Sequence, residues 1–464
     1  MRMIDTKQKY QNRLDEYLNI LDKVPAVKKS VLDSFSYFKN NQGEEMPFEN
    51  RLYLVAIAVP LISFTEWVIE EALKKNKNRI YFLSRDGYQL YLIAEKIVEA
   101  KGINIECRYL NVSRLSMRIP SYKLNIEKSI DSICVGGIDV NKHKILKRGG
   151  LTDEECRDVL NELELESDEF RILNYKEVIE FKKRLSESSI IKKYLEKYSS
   201  NAYENAIGYL KQEGLLEDSR FAIVDSGWIG TLQRSIQRLI KSVRPDIEVD
   251  GYYFGLYNCP RKESGIFNAF YFTPLSGLER KSRFSNSLFE TIVSSEEATT
   301  IGYGFKDGIY IPLFNEIVNP NAKTINSNIA ALKILLDCFD FENSADRKTI
   351  EKLFDLFMAK PSEAEVKSYG DNLFSDDVND GCFKKVADDL SLEDIRNQRF
   401  INKLIIILGI KKAVIRESSW IEGSALKAYN YTSDVLKEYR HIRKYKYFVF
   451  ARKQTERMIG IKNV

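Results

Sequence analysis

Two stretches of this chain repeat one local pattern, an apolar run that stops on polar residues and glycine and then turns into a helix-period segment. The first is Ile80-Tyr-Phe-Leu-Ser84-Arg85-Asp86-Gly87, running into Tyr88-Gln-Leu-Tyr-Leu-Ile-Ala-Glu-Lys-Ile97. The second is Phe221-Ala-Ile-Val-Asp225-Ser226-Gly227-Trp228-Ile229-Gly230-Thr231, running into Leu232-Gln-Arg-Ser-Ile-Gln-Arg-Leu-Ile240. In open parallel sheets, ligands bind in the crevice outside the carboxyl ends of the strands. Two such ends in one chain therefore predict a single site built from both junctions. Glycines let the backbone close on an anion and a helix N-terminus supplies N–H donors, so the second junction suits a phosphate.

The surrounding pattern extends this to a fold. Gly102 closes the helix after the first junction and Ile105 to Leu110 reads as the next strand, which makes a β-α-β unit with a right-handed crossover. Residues 125–215 are charged and helix-periodic, with Thr152-Asp-Glu-Glu155 as a capped helix start, and predict a helical insertion. The sheet resumes at 221–225, with further strands at Val249 to Tyr257 and Ala269 to Thr273, then a segment of mixed character at 284–305. Residues 5–40 carry Leu14, Leu18, Leu21 and Val24 on one helical face. Tyr53 to Leu73 reads as a buried helix. Its apolar stretch, Leu52 to Phe64, is shorter than the ~20 residues a membrane span needs, and Pro60 predicts a kink. From about 320 onward the sequence is helical apart from a turn-rich break at 370–382. The expected fold is α/β: a parallel-sheet, Rossmann-like core with a helical insertion and a helical C-terminal domain. The expected bounds are an N-terminal helical segment at 1–47, the α/β core at 48–310 and the C-terminal domain at 311–464, since 464 residues exceed one ordinary domain.

Composition narrows the function classes. The net charge of +4 is close to balance, so nucleic acid is not an expected partner. Six cysteines (Cys107, Cys134, Cys156, Cys259, Cys338, Cys382) are scattered without a C-x-x-C, and only His143 and His441 are available beside them. That usage suits free thiols in a reducing cytoplasm and argues against a zinc site. The N-terminus leads into charged amphipathic sequence rather than a signal peptide's apolar region.

At the second junction Asp225 stands at a strand end, and Ser226, Gly227, Gly230 and Thr231 offer hydroxyls and backbone N–H groups to an anion. Neither a G-x-x-x-x-G-K-[ST] loop nor a G-x-G-x-x-G loop is present there. At the first junction Arg85 gives fork-shaped donors to phosphate and Asp86 can hold Mg²⁺ directly or through water. Ser113-Arg114-Leu-Ser116-Met-Arg118 adds two arginines beside hydroxyls. Each element also has a plain reading: glycines that merely turn a strand into a helix, a surface Arg–Asp pair, a solvated loop. The chain has no Asp-x-Asp, which weighs against haloacid-dehalogenase-type phosphatases and metal-binding nucleotide-sugar transferases, and no G-x-S-x-G of a serine hydrolase.

Together the junctions resemble type I phosphoribosyltransferases, in which a strand ends in acids and a Thr/Gly-rich loop wraps the 5-phosphate of phosphoribosyl pyrophosphate. Asp225 matches the first acid, Ser226 stands where the second would be, and Gly227, Trp228, Ile229, Gly230 and Thr231 take the phosphate loop. Ser84, Arg85, Asp86 and Gly87 take the place of the pyrophosphate loop. More narrowly, Phe82-Leu-Ser-Arg-Asp-Gly87, Asn111-Val-Ser-Arg114, Val224-Asp-Ser-Gly-Trp-Ile-Gly-Thr231 and Leu288-Phe-Glu290 resemble a module of bacterial surface-polysaccharide synthesis. That module is often found beside a haloacid-dehalogenase phosphatase. The resemblance covers roughly residues 50–305. It implies Mg²⁺-assisted transfer of ribose 5-phosphate to a sugar hydroxyl of a glycan or lipid-linked glycan, with a separate phosphatase acting later. It implies Asp225, Asp86 and Glu290 as catalytic carboxylates, Asp86 as the metal ligand, and Arg85, Arg114 and Arg118 as phosphate clamps. A phosphatase, another glycosyltransferase of the same assembly, or a non-catalytic phosphate-ligand protein stay open as alternatives.

The tail from Lys437 to Lys453 interleaves Arg440, His441, Arg443, Lys444 and Lys446 with Tyr439, Tyr445, Tyr447, Phe448 and Phe450. Its readings are a helix packing aromatics on the core, an anionic membrane surface, or nucleic acid. The expected location is cytoplasmic, peripheral to the inner membrane face.

Overall fold

The computed structural model describes residues 2–134, 140–259, 265–375 and 383–459. Its centre is a five-stranded, all-parallel sheet of β1 (Arg79–Leu83), β2 (Glu106–Leu110), β3 (Phe221–Trp228), β4 (Asp250–Leu256) and β5 (Ile266–Phe272), in the order β2-β1-β3-β4-β5. Parallel strands are covered on both faces and so read as near-continuous apolar runs. Ile80 to Leu83, Phe221 to Val224 and the whole of β4 are buried accordingly.

Side chains alternate between faces along each strand. On one face Ile80, Phe82, Ala222, Val224 and Phe254 pack under α1 (Gly87–Lys101) and the helix Val59–Lys74. On the other, Tyr81, Leu83, Leu110 and Ile223 pack under Met117 of α2 (Arg114–Tyr122), Ile236 and Leu239 of α3 (Thr231–Val243), and the helix Ser189–Gln212. Gly102 ends α1 at a φ of 60°, a left-handed cap that suits glycine. The chain runs outward from β1 through α1 to β2, returns past β1 to β3, and continues through α3 to β4. The winding direction thus reverses between β1 and β3, the topological switch point where a crevice opens above the sheet.

The α/β parallel-sheet core matches the expected fold class. β3, however, runs three residues past its expected end, because Asp225, Gly227 and Trp228 stay in register with Tyr253, Gly255 and Leu256 of β4. The mixed segment resolves into a short helix, α4 (Asn286–Ile292), and an antiparallel hairpin of β6 (Thr300–Lys306) and β7 (Ile309–Phe314).

Among the described residues, five helices between Ile126 and Gln212 enclose a separate apolar cluster that includes Ile130, Leu146, Val159, Leu185 and Leu195. Thr152 caps the third of them with a reciprocal bond to Glu155. The N-terminal helices and those beyond residue 320 have no such core of their own. Leu14, Leu21, Leu332, Leu353, Trp420 and Tyr439 belong to the cluster that covers the first sheet face. Phe48–Lys74 is long and apolar enough to cross a membrane, but 94% of its most apolar window is buried inside the protein. A π-helical turn, Leu54–Ala58, sits just ahead of Pro60, where the missing N–H breaks the regular ladder. Of the break expected at 370–382, residues 376–382, Cys382 among them, lie outside the described residues. Leu373–Phe374 and Lys384–Lys385 pair on either side. The other five cysteines are free thiols.

Candidate functional site

The two junctions meet where the winding reverses. Asp86 occupies the cap position ahead of α1, yet its carboxylate caps nothing: its backbone is already helical and no side-chain cap bond forms. Instead it accepts a 2.5 Å hydrogen bond from Ser226 Oγ at the end of β3. Asp225 accepts from the Ser226 N–H at 2.9 Å. One serine thereby bridges both carboxylates, with its hydroxyl to one and its amide to the other.

The electrostatics follow from that proximity. Burial pushes the Asp225 carboxyl well above the usual carboxylate range, and the charges of Asp86 and Glu290 push it further, against the opposing Ser226 amide and Arg114. Burial also raises Asp86, opposed by the Ser226 hydrogen bond and by Arg85 and Arg114. Glu290, on α4, is held from the core side by the Trp228 indole N–H. The Arg85 and Arg114 guanidinium groups form no ion pair or hydrogen bond among the described residues, so their donors are available to an anionic ligand. Arg114 is the first residue of α2, and Ser113 caps that helix while its Oγ donates to the Thr300 carbonyl at 2.6 Å.

Glycines set the closeness of the approach. A Cβ on Gly87 would lie 2.8 Å from the Phe82 carbonyl carbon, so α1 starts hard against β1. Gly227 has φ 134° and faces Gly255 across the strands. Gly230 turns the chain at φ 65° into α3, whose first N–H groups receive no side-chain cap and remain available to an anion. The Ser84–Arg85 and Gly227–Trp228 peptide bonds are cis.

Several expected ligand contacts lie elsewhere. Ser84 Oγ donates to the Val112 carbonyl and accepts from the Val112 N–H, tying the β1 and β2 ends together rather than offering itself to a ligand. Trp228 is a core residue: continuation of β3 turns its ring into a cluster with Tyr257, Phe272, Phe284 and Phe289. The expected phosphate loop therefore shrinks to the turn at Ile229 and Gly230, with Thr231 already helical and Ile229 exposed. Arg118 lies one turn along α2 from Arg114, its Nε buried without a hydrogen-bond partner and its charge acting on Tyr122.

Other residues join the site without a sequence signal. Tyr109, on β2, donates to Glu297 at 2.8 Å, and its hydroxyl is pushed up by burial, by Glu297 and by Asp86. Tyr253 pairs with Asp225 across β3 and β4 and donates to Gln233 Oε1 at 2.6 Å. Strand alternation places these rings, but Glu297, which Tyr109 meets, is remote in sequence. A surface cavity of about 340 Å³ lies within the helical insertion. Its carboxylates are already engaged, Asp158 by Tyr194 and Glu162 by Ser189.

Among the described residues no three His, Cys, Asp or Glu side chains converge to hold a metal ion on their own. Asp86, just beyond β1, and Asp225, within the neighbouring β3, are hard oxygen donors. They suit Mg²⁺ in its usual mode, with one or two carboxylates plus substrate phosphates and water. No protein-family model matches the chain, and no curated protein matches it in sequence.

Proposed function

We propose that this chain is a phosphoribosyltransferase that moves ribose 5-phosphate from phosphoribosyl pyrophosphate to a sugar hydroxyl of a glycan or lipid-linked glycan. The observation that carries the reading is the Ser226 bridge between Asp86 and Asp225 at the switch point, with the unpaired cations of Arg85 and Arg114 beside it. In the reaction the bond from the anomeric carbon to the pyrophosphate oxygen breaks and its electron pair leaves with pyrophosphate. A bond from the same carbon to the acceptor oxygen forms. Arg85 and Arg114 neutralise the charge growing on the leaving group. The open N–H groups at the start of α3 hold the 5-phosphate. Asp225 takes the acceptor proton, a role its raised pKa favours. Asp86 would hold Mg²⁺, which would supply further charge neutralisation at the pyrophosphate.

Calorimetry of phosphoribosyl pyrophosphate with and without Mg²⁺ tests this, beside pyrophosphate release in the presence of acceptor sugars. Mg²⁺-dependent binding that is lost in Arg85→Ala, and turnover lost by at least ~100-fold in Asp225→Ala, is the expected result. Binding of a nucleotide sugar in place of the phosphoribosyl donor would discard it. A second reading, a phosphate-ligand protein without turnover, draws on Ser226 standing in place of a second acid. Donor binding with no pyrophosphate release on any acceptor would favour it.

A further inference from the structure

A helix on the surface of a protein ordinarily buries its apolar side and shows its polar side to water. The helix α5 (Phe400–Ile407) does the reverse. Its lysine points inward: Lys403 is only 8% exposed, donates to Gln398 Oε1 at 2.7 Å and Glu417 Oε1 at 2.8 Å, and lies over the Tyr445 ring. Part of its apolar surface points outward, while Phe400, Leu404, Ile405 and Ile406 are half-buried. Ile401, Ile407 and Leu408 are exposed, and past the end of the helix Ile410 and Val414 are 73% and 78% exposed. Gly409, at φ 74°, turns the chain so that the N–H groups of Ile410 and Lys411 both reach the Ile405 carbonyl. The result is an ordered apolar tip rather than a frayed end.

Beside this tip runs α6 (Val435–Met458), joined to it by an edge-to-face contact of Phe400 with Phe448. Arg440, Lys444 and Phe448 recur every fourth residue along α6 and are exposed, as is Tyr447. Lys412 on the tip, Arg440 and Lys444 form no ion pair among the described residues. Phe450 of α6 stacks on Tyr257 at 5.3 Å and Arg457 donates to the Tyr257 carbonyl, so the helix also touches the carboxyl edge of the sheet.

We propose that the α5 tip and the adjoining stripe of α6 are a docking surface for an anionic phospholipid bilayer. Exposed aliphatic side chains enter the acyl boundary, aromatic rings sit at the headgroups, and unpaired cations meet the negative lipid. Charge complementarity selects this occupant. A second copy of the chain meeting the same face about a two-fold axis would set these cations against each other. This surface is independent of the reading of the crevice.

Co-sedimentation of the intact protein with phosphatidylglycerol–phosphatidylcholine vesicles at low salt, beside phosphatidylcholine vesicles alone, tests the proposal. Binding to the anionic vesicles that weakens with added salt is expected. Leu408→Ser with Ile410→Ser should lower apparent affinity at least about tenfold. Lys412→Glu with Lys444→Glu should lower it similarly and flatten the salt dependence. All four positions are solvent-facing or unpaired, so both variants should keep the wild-type thermal transition, which is checked in parallel. Absence of binding to anionic vesicles overturns the proposal, as does wild-type affinity in the apolar variant. So does a wild-type dimer that becomes monomeric in that variant, since it would make the surface a self-association face.

Discussion

Replacing Gly227 by alanine tests whether the crevice depends on how closely β3 and β4 approach. A Cβ at this position would sit 2.0 Å from the Gly255 carbonyl oxygen, where ordinary contact begins at 3.4 Å. The strands would have to part by more than an ångström two residues beyond Asp225. They have little room to do so, because Gly255 is itself overlain by the Phe272 ring, 2.6 Å from where its own Cβ would be. The φ of 134° adds a backbone cost of about 1–3 kcal/mol for a residue with a side chain. Relief of the collision adds about 1–3 kcal/mol. The expected loss is therefore roughly 2–6 kcal/mol, with donor binding lost at the same time. Gly43→Ala is the control: its φ is 74° but nothing lies within 4 Å, so it carries only the left-handed penalty of about 1–2 kcal/mol. Urea unfolding of the two variants and the wild type, followed by circular dichroism, gives the difference. Equal destabilisation by Gly227→Ala and Gly43→Ala would refute the close-approach argument.

Two further outcomes follow from buried charge. Asp225 and Asp86 both hold their protons more tightly folded than unfolded, so the folded state is favoured at low pH. That stability is lost as pH rises from the ordinary aspartate value of about 4 through the raised folded values. Asp225→Asn should flatten this slope and unfold at higher urea than the wild type at mildly alkaline pH, while turnover falls; parallel pH profiles for the two proteins would contradict the electrostatic reading. At the other end of the chain, the fully buried Glu365 accepts from Arg13 Nε and Tyr17 Oη at 2.6 Å each, and from Ser362 Oγ and N–H. Glu365→Ala removes the buried counter-charge of Arg13, 11% exposed, and leaves it only the exposed Glu16; the expected cost is about 3–5 kcal/mol by urea unfolding. A loss below about 1 kcal/mol would show that the N-terminal helix is held by apolar packing instead.

Local structure was readable because local structure is decided by near neighbours. Apolar runs of parallel-strand length, glycine at the end of α1 and the Thr152–Glu155 cap act over a few residues, and the strands and helices they predict are present. The parallel-sheet class follows from the same signals. The sequence ends β3 at Asp225 because Ser226 and Gly227 read as a loop, whereas pairing with β4 carries the strand on to Trp228.

What tertiary structure alone decided is which of these pieces meet. Strand order places β1 against β3 and thereby brings Asp86 within 2.5 Å of Ser226, 140 residues away. It sets Glu297 against Tyr109, buries Trp228 among aromatic rings, and turns Lys403 inward while Ile410 faces out. Periodicity gives the faces of an element, but loop closure and packing choose the neighbour of each face, and those depend on contacts distant in the chain. The sequence by itself determined a parallel α/β core with polar strand ends. The fold decided that two of those ends share one pair of carboxylates, because only the winding reversal between β1 and β3 makes them adjacent.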